Sequence, residues 1–120
     1  MKNTGNVVSI HPYFKVKPGK LEEFKAALQT FIEHTATEEK NLYYDFTISG
    51  DVVFCREAYV GADGLLAHVQ NVGTLLMHLL TLASVERVEV HGPEAELERL
   101  KGPLAQLQPI WFTRLCGVER

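Results

Sequence analysis

The residues most able to do chemistry cluster around one histidine. The segment Arg56-Glu-Ala-Tyr-Val-Gly-Ala-Asp-Gly-Leu-Leu-Ala-His68 reads as a strand end, a short turn and a helix that carries His68 between Leu65, Leu66 and Val69. Imidazole titrates near pH ~6.5, so at neutral pH it can serve as base or ligand. The alternative is a core-edge histidine bonded to a backbone carbonyl. His11 and Tyr13 share one face of a strand, because side chains two apart point the same way. His78 lies on an apolar helical stretch. Together with Tyr44, Tyr59 and His68 they could place a few polar groups on apolar walls, the usual design of a small-molecule site. His78 also fits a satisfied core histidine. The three tyrosines also fit core packing with the hydroxyl at the rim. Glu57 reads as structural, inside the sheet or at a subunit seam, with Arg56 or Arg87 as ion-pair partner.

Other chemistries find no support. The histidines (His11, His34, His68, His78, His91) are dispersed, without a His-x-His pair or the Cys/His spacing of a zinc site. No metal is expected. There is no glycine-rich phosphate loop, Walker sequence or Gly-x-Ser-x-Gly elbow, so nucleotide and serine-hydrolase chemistry are not indicated.

The elements that must position these groups follow from pattern. Val7 to Phe14 is β-rich, and Pro18-Gly19 ends it. Leu21, Phe24, Leu28, Phe31 and Ile32 recur at helical spacing. Leu42 to Ser49 and Val52 to Tyr59 are strands joined by the hairpin signal Ser49-Gly50-Asp51. Asp63 is a plausible cap for a short helix to Val69. Asn71 and Gly73 break the periodicity, and a second helical piece runs from Thr74 to Leu82. In Ser84 to His91, Val85, Arg87 and Glu89 fall on one side and Glu86, Val88 and Val90 on the other. Gly92-Pro93 ends that strand. The order βαββαβ predicts an α+β, ferredoxin-like antiparallel sheet with helices on one face. A tail adds a charged helix, Glu94 to Lys101, and a strand, Ile110 to Leu115, with Trp111 and Phe112.

With 120 residues the chain fits one domain, its core at about 7–91 and an extension at 92–120. Hydrophobic residues at 46% and charged residues at 22% place it among ordinary soluble chains. A net charge of -3 without a basic stripe argues against nucleic acid. The polar Met1–Asn6 does not resemble a signal peptide, and the apolar run Leu75 to Leu82 is too short to span a bilayer. Cys55 and Cys116 read as reduced thiols of a cytoplasmic protein. The first three strands are apolar on both faces, where a half-solvated sheet would alternate. Helices cover one face, and a second copy covering the other predicts a homodimer. The tail strand either reaches across that interface or covers its own sheet edge.

Four motifs in order resemble the antibiotic biosynthesis monooxygenase superfamily. They are Pro18-Gly19-Lys20 before the first helix, Glu38-Glu-Lys-Asn-Leu-Tyr-Tyr44 entering the second strand, Glu57-Ala-Tyr59 ending the third, and Ala67-His68 in the following helix. The chain departs from the pattern where a Pro-Gly is lost before Leu42 and where Tyr59 replaces a tryptophan. The resemblance implies a dimeric α/β barrel with its pocket between sheet and helices. It implies a cofactor-independent monooxygenase acting on a small aromatic or quinol-like substrate. His68 would be catalytic with His11 and Tyr44, and Tyr13, Tyr59 and His78 would bind substrate. No cofactor is expected. The superfamily's heme-degrading branch pairs the helix histidine with a tryptophan and an asparagine that have no counterparts here. A non-catalytic barrel binding a small apolar ligand, and an isomerase or lyase on the same scaffold, are the alternatives.

Overall fold

The computed structural model describes residues 5–119. Most of the Met1–Asn6 segment, for which no signal peptide was expected, lies outside them. The chain runs β1 (Val7–Val16), α1 (Leu21–Thr35), β2 (Asn41–Ser49), β3 (Val52–Val60), α2 (Gly61–Leu82), β4 (Ala83–Gly92), α3 (Glu94–Lys101), a 3₁₀ turn (Ala105–Leu107) and β5 (Ile110–Thr113). The sheet order is β2-β3-β1-β4-β5. The first four strands pair antiparallel in the ferredoxin-like arrangement, and β5 joins parallel to β4. The tail strand thus covers its own sheet edge. It ends at Thr113, leaving Leu115 exposed.

Helices pack on one sheet face over two apolar clusters. One gathers Val8, Tyr59, Leu65, Val90, Leu97 and Leu100, and the other Phe14, Phe24, Phe31, Val53, Leu79 and Leu82. α2 touches both, because its buried positions Leu65, His68, Val72 and Leu79 recur every three to seven residues along one stripe.

Two expectations are corrected here. α2 is one helix of 22 residues, not two pieces. Gly73 costs a helix about 1 kcal/mol relative to alanine, less than the burial of the leucines and valines on either side returns. Asn71 turns its polar side chain to the end of α1, donating to the His34 carbonyl at 2.9 Å. By length and composition this continuous helix could cross a membrane. Its Leu65–Leu82 stripe is instead packed on the sheet. The second correction concerns the start of α2, where Asp63 caps nothing and pairs with Arg99. The first N–H groups are met by other segments, Gly61 donating to the Asn6 carbonyl at 2.8 Å and Ala62 to the Glu96 carboxylate at 2.7 Å. Gly61 has φ +71°, and a Cβ there would meet the Glu96 carboxylate at 3.0 Å.

β4 also departs from simple alternation. The β1–β4 register slips between Tyr13 and Phe14, which face Arg87 and Val85 respectively, leaving Glu86 without a partner. Such a bulge shifts the side-chain phase. Val85 therefore joins Val88 on the helix side, not Arg87 and Glu89.

Candidate active site

A cavity of about 270 Å³ lies between the sheet and α2. Its walls are mostly aliphatic and aromatic, with Ile10, Phe14, Phe31, Phe46, Leu65 and Leu79 among them. Its ionisable groups converge at His68 and Glu57, with Tyr44 and Cys55 beside them. No lysine or arginine is among the described lining residues.

Each polar group has a structural reason to be there. β3 presents alternate residues inward, so Cys55, Glu57 and Tyr59 share the helix side. The first turn of α2 lies close to that strand because Gly64 has no Cβ to meet Tyr59 and Lys40, each 3.0 Å from where it would stand. His68, on the next turns, then faces Glu57, with Nε2 3.4 Å from Oε1. The Tyr59 hydroxyl donates to the same Glu57 oxygen at 2.5 Å from behind. The other ring nitrogen, Nδ1, stands 2.9 Å from Oε2 of Glu38. Glu38 belongs to the turn after α1, where its backbone N–H donates to the Thr35 carbonyl. The Asn71 side chain donates to the same carboxylate oxygen at 2.8 Å. The rings of Tyr44 and Tyr59 flank the imidazole at 5.2 and 5.0 Å.

The electrostatics follow from burial. Removal from water pushes the Glu57 carboxyl up to about 7, although hydrogen bonds from Tyr59 and Cys55 pull it down. Burial lowers the His68 pKa, and Glu38 opposes that shift. Burial and then the Glu57 charge push the Tyr44 and Tyr59 hydroxyls upward, so both stay protonated and neither serves as a phenolate base. With the Glu38 carboxylate accepting, Nδ1 of His68 carries the hydrogen and Nε2 offers a lone pair toward Glu57. The site thus holds a neutral imidazole and a readily protonated carboxyl side by side. Among the described residues, no group of three His, Cys, Asp or Glu side chains is arranged for a metal ion.

Of the residues singled out from sequence, the structure brings together His68, Tyr44 and Tyr59. Tyr59 has no exposed surface and buttresses Glu57 from behind. His11 and Tyr13 are on the opposite sheet face. There His11 bonds the Ser9 hydroxyl and lies against Phe54 and His91, and Tyr13 packs on Phe54. They were expected at the pocket. Strand alternation sends them away from it, since Ile10, Pro12 and Phe14 are the β1 residues lining the cavity. His78 is exposed on α2, off the buried stripe. Glu57 has neither expected ion-pair partner. Arg56 pairs with Asp45 at 3.5 Å, and Arg87 pairs with Glu89. Sequence reasoning missed the roles of Glu38 and Asn71. Glu38 stood within a quoted motif, but nothing local showed that it reaches a histidine thirty residues on.

Comparison with known proteins agrees with this architecture. MupZ from Pseudomonas fluorescens superposes with a TM-score of 0.92 at 42% identity, over 96% of this chain and 95% of that one. A Caulobacter crescentus structure named for antibiotic biosynthesis monooxygenase superposes with a TM-score of 0.65 at 20% identity, over 73% of this chain and 90% of its own. A sequence match to YcnE of Bacillus subtilis, named provisionally as a monooxygenase, is 41% identical over 39 residues. It spans 32% of this chain and 41% of YcnE. No protein-family model matches the sequence. The chain belongs to the same family as MupZ and shares its fold with structures named for antibiotic biosynthesis monooxygenase.

Proposed function

We propose that this protein is an acid–base enzyme acting on a small, uncharged, apolar molecule with an ionisable hydrogen. The observation that carries this is the buried pair in an apolar cavity, Glu57 raised to about 7 and 3.4 Å from the free nitrogen of His68. Catalytic groups work best with pKa values near the operating pH, and burial is the usual means of placing a carboxyl there. His68 Nε2 takes the proton. Glu57 supplies or receives one, and Glu38 holds the imidazole in the required tautomer. The missing cation disfavours carboxylate or phosphate substrates, which would enter beside Glu57 without a counter-charge.

In the form that the superfamily's naming supports, the reaction is a cofactor-independent monooxygenation. His68 deprotonates a phenol or quinol-like substrate, and the resulting anion reduces oxygen. One oxygen atom enters the product as a carbonyl and the other leaves as water. A second form is favoured by Glu57 itself. A base alone suffices for oxygenation, whereas an acid beside a base suits an isomerase or lyase, which removes a proton at one atom and returns it at another. The test is turnover of a panel of quinols and polycyclic phenols, with and without oxygen, by the wild-type protein, His68→Ala and Glu57→Gln. Oxygen uptake lost in His68→Ala supports the first form. Turnover without oxygen that needs both residues supports the second. Turnover undiminished in both variants contradicts the acid–base assignment.

We also propose that the protein works as a homodimer through the outer sheet face. Tyr13, Phe54, His11, His91 and Phe112 form a ring-stacked patch there, with Phe112 40% exposed. Light scattering should give twice the chain mass, and Phe54→Lys should halve it. A monomer in the wild-type protein contradicts this assembly.

A further inference from the structure

We infer that the C-terminal extension is the specificity wall of this pocket, selecting substrates by the length of the apolar part that points away from His68. This rests on the proposal that the cavity is the substrate site. The floor and the mouth are made by different parts of the chain. Glu57, His68, Cys55 and Leu65 are buried and form the floor. Pro103, Gln106 and Val85 line the same cavity yet are exposed, which places them at its mouth. Leu104 and Leu107 continue that wall inward onto the Leu97–Leu100 cluster.

The extension is held as a fixed wall and not as a loose tail. β5 pairs with β4 from Glu89 to Gly92, and the Arg114 N–H donates to the Gly92 carbonyl at 2.7 Å. Glu96 and Arg99 of α3 bind the first turn of α2 at Ala62 and Asp63. The extension therefore grips the helix that carries His68 while forming part of the cavity wall, with Leu104 and Leu107 packed in the same cluster as Leu65 and Val69. Seven structures of the same fold at 15–22% identity span only 69–75% of this chain while spanning 90–97% of their own length. That share is about what the β1–β4 core occupies. MupZ, over 96% of the chain, shares the full length. The acid–base floor, with His68, Glu57, Glu38 and Asn71, lies wholly within the β1–β4 part of the chain. Gln106 is the one side-chain amide on the cavity lining among the described residues, a neutral donor and acceptor suited to an uncharged polar group of the substrate.

The test is binding of 4-n-alkylphenols, ethyl to heptyl, followed by amide chemical-shift titration of the full chain. In the wild-type protein each added methylene should tighten binding about threefold to fourfold while the chain lies against the wall. Leu107→Ala should bind the ethyl member within twofold of wild type and the heptyl member about tenfold more weakly. Gln106→Glu, at an exposed position where folding is not at risk, should give the same pattern. Met77→Ala, 72% exposed and off the cavity, should match wild type throughout. A 4-alkylbenzoate of equal length should not bind. Length-independent binding, equal losses for all members in both variants, or no binding by wild type would each overturn the inference. Because binding is read and not turnover, these outcomes leave the roles of His68 and Glu57 to their own test.

Discussion

Nε2 of His68 stands 3.4 Å from Oε1 of Glu57 while its Nδ1 stands 2.9 Å from Oε2 of Glu38. One imidazole therefore bridges two carboxyl groups that differ in kind. Glu38 has a second donor in Asn71. Glu57 sits against the apolar cavity and is the one pushed toward neutrality by burial. In the proposed mechanism, environment and not residue type separates the orienting carboxylate from the proton-transferring one.

Stability should record the raised Glu57 pKa. Between its ordinary 4.5 and about 7 the folded protein holds a proton that the unfolded chain has released. That contribution is fully present below pH 4.5 and is lost as pH rises through about 7. Glu57→Gln has no such proton. The Tm of Glu57→Gln relative to wild type should therefore increase from pH 4.5 to pH 8, by an amount on the order of 10 °C. A Tm difference that is flat across this range would show that Glu57 is not desolvated. His68 acts in the other sense. Its lowered pKa means stability lost as pH falls below its ordinary 6.5, the opposite pH dependence to that of Glu57.

The orienting role of Glu38 is open to spectroscopy. Nitrogen-15 shifts of His68 at pH 8 should show the Nδ1–H tautomer. Glu38→Gln removes the charge that opposes the burial shift, so the His68 pKa should fall further below its ordinary value. A midpoint that rises, or an Nε2–H tautomer in the wild-type protein, would contradict the assignment.

Gly61 is the joint between β3 and α2. Alanine there would adopt a left-handed backbone at a cost of about 1–2 kcal/mol. It would also crowd the Glu96 carboxylate that accepts from Ala62. Gly61→Ala should lower Tm by roughly 5–15 °C. An unchanged Tm would mean the joint relaxes without strain.

The sequence made the sheet and the first helix legible because their patterns are local: period-two strands, helical spacing in Leu21–Ile32, and a glycine turn between β2 and β3. It misplaced what depends on phase and distance. The bulge opposite Phe14 moved Val85 to the cavity side, which strict alternation hides. Asn71 read as a helix breaker because its cross-helix bonds to Glu38 and His34 are invisible along the chain. His68 was found from its helix and its family motif. Glu57 drew ion-pair partners from the adjacent Arg56, although neighbours on a strand face opposite sides.

The central claim is that Glu57 is a proton-transferring carboxyl and not a structural carboxylate. A carbon-13 titration of its side-chain carboxyl in the wild-type protein tests this without any substrate. The predicted midpoint is about 7. A midpoint at or below the ordinary 4.5 would leave Glu57 ionised throughout the working range and contradict the account.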